Sequence, residues 1–225
     1  MADNNDKFLG ALAKHKLFKG LDRAAVERVA ASAGARWKKF GRGEVILHKG
    51  DRLRSIVVVL SGRVNVIQPT RDGTELLDYT AGAGSVVGMS FLMSRSDPFP
   101  SMIQAAASSE VVLLDAGKLR ELLKRPENIR LFDNCYQALV SVVIECQQKL
   151  SVVGCWEIGD KVLTFFERIA AATGSREIEI PFRTSSEFAQ YLGVNRCALS
   201  RSISQLVRRG KLKRGDGCYI LPAGR

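Results

Sequence analysis

Between Phe188 and Gly215 the sequence places seven Lys or Arg residues and no Asp or Glu. Guanidinium and ammonium groups gathered this way suit a polyanion, because each can neutralise a phosphate and an Arg can also take guanine O6 and N7 together. A solvated basic face has the same charge, so the residue pattern must decide between them. Thr184-Ser185-Ser186-Glu187 is a capping box that opens a helix ending near Leu192-Gly193-Val194. Asn195 then caps a second helix running to about Arg209, with Gly210 past its end. At about 100° per residue, Leu199, Ile203, Leu206 and Val207 of that helix share an arc of about 100°. Cys197, Ser200, Arg201 and Ser204 occupy a separate arc. One face is made for a core and the other is small, polar and basic, as entry into a major groove about 12 Å wide requires. Lys211 to Leu221 follows as two short strands about a glycine turn, a basic wing suited to backbone contacts.

Other chemistry finds little support. His15 and His48 are the only histidines, and no His/Asp/Ser or metal-ligand constellation accompanies them, which argues against an enzyme. Five cysteines, an odd number with no C-x-x-C pair and none before Cys135, fit reduced thiols rather than a disulfide framework or a zinc site. The 225 residues carry 34 Lys+Arg against 23 Asp+Glu, a net charge of +11, with 46% apolar and 25% charged residues. That is a globular composition of one large or two modest domains. Apolar runs such as Ile56 to Leu60 are far shorter than the roughly 20 residues of a membrane span, and the first residues lack a signal-peptide pattern. The expectation is a cytoplasmic protein with no membrane partner.

The elements that must position the basic segment can be read from periodicity. Residues 8–33 have helical spacing in Phe8, Leu9, Leu12, Leu17, Phe18, Leu21, Val26 and Val29. After Gly34 come short β-branched runs at Glu44–Leu47, Ser55–Leu60, Arg63–Ile67 and Glu110–Leu114, separated by glycines and by Asp72-Gly73. They predict a small antiparallel barrel or roll over about residues 35–115. Glu127 to about Gly154 contains neither Pro nor Gly, and Phe132, Cys135, Leu139, Val142, Cys146, Leu150 and Val153 step along it by three or four. This is close to a coiled-coil seam on a helix about 40 Å long, which favours a partner helix and, most simply, a homodimer.

The stretch from Thr184 to Leu206 resembles the helix-turn-helix of the Crp/Fnr family of bacterial transcription regulators. Phe40-Gly41-Arg42-Gly43-Glu44-Val45-Ile46, Gly50-Asp51, Leu60-Ser61-Gly62-Arg63-Val64 and Asp72-Gly73 resemble the same family's β-roll. The resemblance implies an α+β fold: an N-terminal antiparallel β-roll of the cyclic-nucleotide-binding type (a double-stranded β-helix), a long dimerisation helix and a C-terminal winged helix-turn-helix. The corresponding segments are 1–115 for the sensor roll, 116–154 for the helical linker and 155–225 for the DNA-binding domain. It further implies that Arg196 and Arg201 contact DNA, the latter at a guanine or a phosphate, with Ser200 beside a base. Thr184, Ser186, Asn195, Cys197 and Lys213 complete the expected DNA face. Cys197 stands where the best-known members carry a Glu that accepts from cytosine N4, and a thiol supplies no charged acceptor.

The resemblance also locates a departure. Cyclic-nucleotide-binding members hold the ribose with a Gly-Glu pair and the phosphate with an Arg-Ser or Arg-Thr pair. Here Gly88 is followed by Met89, and Phe99-Pro100 or Pro100-Ser101 stands where the Arg pair would be. Arg95 could substitute as the phosphate cation from another point of the loop, but no carboxylate accompanies it. Gly88, Met89, Ser90, Phe91, Met93, Arg95, Phe99 and Ser101 form the expected effector pocket, whose soft Met and Phe side chains suit an apolar or planar ligand as well as they suit plain core filling. The cofactor stays open: there are no N-terminal cysteines for an iron–sulfur cluster, and haem would have only Met, His15 or His48. Expected partners are double-stranded DNA with a pseudo-palindromic operator, a second copy through Phe132, Cys135, Leu139, Val142 and Cys146, an unidentified small effector and, for an activator, RNA polymerase. Two rival readings are a cyclic-nucleotide-responsive regulator with a non-standard phosphate site, and a ligand-binding module with no DNA role. The basic segment speaks against the second.

Overall fold

In the computed structural model the described residues are 2–222 apart from 53, 70–74, 95–97 and 183. The chain divides into two compact units, Met1–Ile144 and Glu145–Arg225. In the first, α1 (Ala2–Ala13) and α2 (Arg23–Ser32) precede eight strands: β1 (Arg36–Phe40), β2 (Val45–Leu47), β3 (Ser55–Ser61), β4 (Arg63–Pro69), β5 (Glu75–Gly82), β6 (Val86–Val87), β7 (Met102–Ala105) and β8 (Ser109–Asp115). Between β6 and β7 lies α3 (Met89–Ser94), and α4 (Ala116–Leu123) follows β8. The strands form two antiparallel sheets, β1-β8-β3-β6 and β2-β7-β4-β5, as a roll requires. The Asp72-Gly73 turn lies outside the described residues.

The β-branched run of β3 follows from burial on both faces. Successive side chains alternate, so Ile56 and Val58 enter a core shared with α1, α2 and α4, while Val57 and Val59 enter the roll interior. In β8, Val112 and Leu114 go to the first core and Val111 and Leu113 to the second. Two-sided burial removes the polar alternation of a half-exposed strand, leaving a continuous apolar run. The β3–β4 turn needs Gly62: its φ is +78°, and a Cβ there would strike the Ser108 carbonyl and the Ser109 hydroxyl. That hydroxyl is buried, accepts from the Arg63 amide at 3.0 Å and can donate to the Arg63 or Ala107 carbonyl, at 2.9 or 2.8 Å.

Pro126 opens a short 3₁₀ turn, Pro126–Asn128, and α5 runs from Ile129 to Val153. Its expected seam is corrected by burial. Cys135 is fully buried with Leu131 in the core beneath α1, α2 and α4, and the half-buried Ala138 and Leu139 pack on that core. Burial pushes the Cys135 thiol up to about 12, which leaves it unreactive. Asn134 fixes this orientation by donating to the carbonyls of Leu17 at 3.0 Å and Lys19 at 2.9 Å. The exposed apolar residues of α5 are instead Ile129, Tyr136, Val143 and Leu150, seven apart, together with Ile144. Of the expected interface residues, Phe132 and Val142 are half-buried and Cys146 is exposed.

The second unit holds α6 (Ile158–Thr173), α7 (Ser185–Leu192), α8 (Arg196–Arg208) and a three-stranded sheet in the order β10-β11-β9, from β9 (Glu177–Ile178), β10 (Lys213–Arg214) and β11 (Tyr219–Ile220). Aromatic packing forms its core: Phe165 meets Phe188 at 5.0 Å and Tyr191 at 5.4 Å between ring centroids, and Phe166 meets Tyr219 at 5.4 Å. Among the described residues no helix is long and apolar enough to cross a membrane. Replacing Gly62 by Ala is expected to destabilise the first unit through both its φ and the collision, well beyond the about 1 kcal/mol of an average substitution, as a lowered urea midpoint.

Candidate nucleic-acid interface and sensor interior

The two helices that carry the basic segment are fixed by their caps. Thr184 accepts from the Glu187 amide at 3.1 Å to start α7, and Gly193 ends it in the left-handed region at φ +65°. Asn195 accepts from the amides of Cys197 at 2.8 Å and Ala198 at 3.4 Å, starting α8 at the next residue. From α8, Leu199, Ile203 and Leu206 are buried. Arg196, Cys197, Ser200 and Arg201 are exposed, as are Thr184, Ser186, Asn195 and Lys213. Arg196 is the first residue of α8, where the terminal turn leaves its side chain in solvent.

A depression of about 230 Å³ gathers Thr184 and Ser185 from the start of α7, Ser200 from α8 and Arg214 from β10 over Phe188 and Tyr219. Three elements of the predicted face therefore meet on one surface of this unit. Arg201 lines a different hollow with Arg209 and Lys211, beside Asp160 at the start of α6. Arg214 and Ser185 were not singled out in the sequence. Arg214 lies within the acid-free run and Ser185 within the capping box, so the signal for both was present.

The expected effector residues that the structure describes face different surroundings. Gly88 has φ +95°, and directly after it Met89 is 1% exposed in the core shared with the helices, on the far side of the sheet from the roll interior. Met93 is exposed and Ser90 half-buried. Phe91 and Phe99 do reach the interior, where their rings meet edge-on at 4.8 Å. Phe99 is 2% exposed, and its backbone is clamped by bonds to Gly50 at 2.8 Å and Asp51 at 2.9 Å. Ser101 is buried and donates to Asp78 Oδ2 at 3.3 Å. Arg95 lies outside the described residues. Met89 and Met93 are thus corrected to a core and a surface residue, because the short α3 turns them away from the ring pair.

Residues 37–126 match the family described as Cyclic nucleotide-binding domain. The chain is 22% identical over 209 residues to the CRP-like cAMP-activated global transcriptional regulator of Mycobacterium tuberculosis, covering 90% of each. Among solved structures, the c-di-GMP responsive global regulator CLP of Xanthomonas campestris superposes with a TM-score of 0.70 at 18% identity, over 90% of this chain and 100% of that one. A transcriptional regulator of the Crp/Fnr family from Eubacterium rectale superposes with a TM-score of 0.63 at 18% identity, over 91% and 92%. The chain has the Crp/Fnr fold. The match falls on the roll, whose interior holds the Phe91–Phe99 pair, and Met89 follows Gly88. Substituting Asn195 by Ala removes the α8 cap and is expected to cost about 1 kcal/mol, read as a lower melting temperature of the second unit.

Proposed function

We propose that the protein is a homodimeric, sequence-specific DNA-binding transcription regulator of the Crp/Fnr type, controlled by an effector other than a cyclic nucleotide. The observation that carries the reading is the two-sidedness of α8, which buries Leu199, Ile203 and Leu206 while leaving Arg196, Cys197, Ser200 and Arg201 in solvent beside the wing. In this reading α8 enters the major groove, Arg201 reads a guanine or holds a phosphate, and Ser200 lies beside a base. Thr184, Ser186, Arg196, Lys213 and Arg214 position the protein on the backbone. Cys197 gives no charged acceptor for cytosine N4, so the operator differs from half-sites read by a Glu at that place.

The second copy docks along α5, through Ile129, Tyr136 and Val143 at intervals of seven, with Phe132 and Cys146 three residues after the first and last of them. Two copies would present their recognition helices to successive major grooves about 34 Å apart. Contact with RNA polymerase follows where the protein activates. The cyclic-nucleotide reading draws on the matched domain and on the cAMP-activated relative. Against it stand Met89 in place of the ribose carboxylate and Phe99 in the roll interior.

Titration of operator DNA should show Arg201→Ala weaker by about 1–3 kcal/mol with relaxed preference at one base pair per half-site. Lys213→Ala should weaken all sequences alike and reduce the slope of log affinity against log salt by about 1. Val143→Glu, which puts a charge into the proposed interface, should convert a particle of twice the chain mass into a monomer by light scattering. Calorimetry with cyclic AMP and cyclic GMP should show no binding; saturable heat with either would favour the cyclic-nucleotide reading.

A further inference from the structure

We propose that the second unit carries its own share of the dimer contact, with Leu150 and Trp156 buried there against the same residues of a second copy. Among the described residues seven large apolar side chains are exposed, and six of them, Ile129, Tyr136, Val143, Ile144, Leu150 and Trp156, fall between positions 129 and 156. Trp156 is 99% exposed, so its indole rests wholly in water. A protein surface seldom groups its largest apolar side chains this way unless another molecule covers them.

The chain around Trp156 is built rather than loose. In the last turn of α5 Val152 is fully buried, while Leu150 faces outward at 67% exposed. The Gly154 amide donates to the Leu150 carbonyl at 2.9 Å, and the Cys155 amide donates to that of Val152 at 3.4 Å. A Cβ at Gly154 would come within 2.9 Å of the Leu150 carbonyl oxygen, so glycine lets this turn close. The Cys155 thiol donates to the Ser151 carbonyl at 3.5 Å and lies 3.5 Å from the Thr164 hydroxyl of α6. These contacts hold Cys155 against α6 and leave the next residue, Trp156, outside.

Spacing names the occupant. Leu150 stands seven residues after Val143, as Val143 does after Tyr136 and Tyr136 after Ile129, so it continues the row through which the second copy is proposed to dock. In a two-fold pair of parallel helices each of these positions meets its own counterpart, and Trp156 follows directly where the row ends. A standard interface takes about 800 Å² from each partner, and an indole supplies about 150–250 Å² of it, so the pair of Trp156 side chains is a substantial share. DNA is the poorer occupant: Glu157 and Asp160 are exposed close after Trp156 in sequence, and their carboxylates repel phosphate. The inference rests on the homodimer proposed above, and its test reads the dimer and the indole separately.

The chain has two tryptophans, so Trp37→Phe leaves Trp156 as the single indole. Its fluorescence is followed with acrylamide as quencher, in the dimer and in monomer obtained by dilution or by Val143→Glu, with the mass of each sample checked by light scattering. The dimer is expected to emit at shorter wavelength and to be quenched several-fold less than the monomer. In the otherwise unaltered chain, Trp156→Ala removes a side chain that lies in solvent in the single copy. It is expected to keep the circular dichroism spectrum while raising the dimer dissociation constant, read by sedimentation, by about tenfold or more. A dimer whose Trp156 is quenched as freely as the monomer's, an unchanged dissociation constant in Trp156→Ala, or protection that appears only with duplex DNA would each overturn this inference and leave the dimer standing. A chain that stays monomeric at every concentration would overturn both.

Discussion

The architecture of the first unit depends on two strands buried on both faces. β3 and β8 are paired from Ser55–Asp115 to Ser61–Glu110, and their alternate side chains serve two cores at once. One is the helical layer that receives α1, α2, α4 and the start of α5; the other is the interior of the roll. At about 25 cal/mol per Å² of apolar surface, the eight inward residues of the two strands contribute to both layers, so neither can be loosened without the other. The sheet thus couples whatever occupies the roll to the helices packed on its back.

That coupling defines what α5 can offer. Its Leu131–Cys135–Leu139 side is taken by the helical core and fixed by Asn134, leaving the heptad row of Ile129, Tyr136 and Val143 exposed. An apolar row that its own domain does not cover is a surface for another chain. In the second unit the last turns of α5 are held by side chains of α6 and α7: Arg168 donates to Gln148 at 3.0 Å, and the Lys149 ammonium lies 5.4 Å from the Tyr191 ring centroid. Glu145, raised by burial and opposed by Arg168, belongs to the same cluster.

Much of the fold was legible because it rests on local chemistry. The Thr184 and Asn195 caps, Gly193, and the two-sided pattern of α8 all act within a few residues, so their spacing carries their structure. β3 and β8 were legible for the opposite reason, as runs too apolar for any half-exposed strand. β1, β5, β6 and β7 left no comparable run, since mixed burial and charge such as Arg36-Trp37-Lys38-Lys39 blur their alternation. On α5, Cys135 and Leu139 of the expected seam pack on the chain's own core, because sequence spacing does not say which apolar row meets that core. Met89 and Met93 were misassigned for a similar reason: α3 spans only Met89–Ser94, and one turn of helix sends neighbours to opposite sides of a sheet.

The central claim, that two copies of α8 read DNA as a symmetric pair, is tested most directly by selecting random genomic fragments on the purified protein and sequencing those retained. The account predicts an enriched pseudo-palindrome whose half-site centres lie about one helical turn, 34–36 Å, apart. Retention without any enriched palindrome, with and without cell extract to supply an effector, would contradict it.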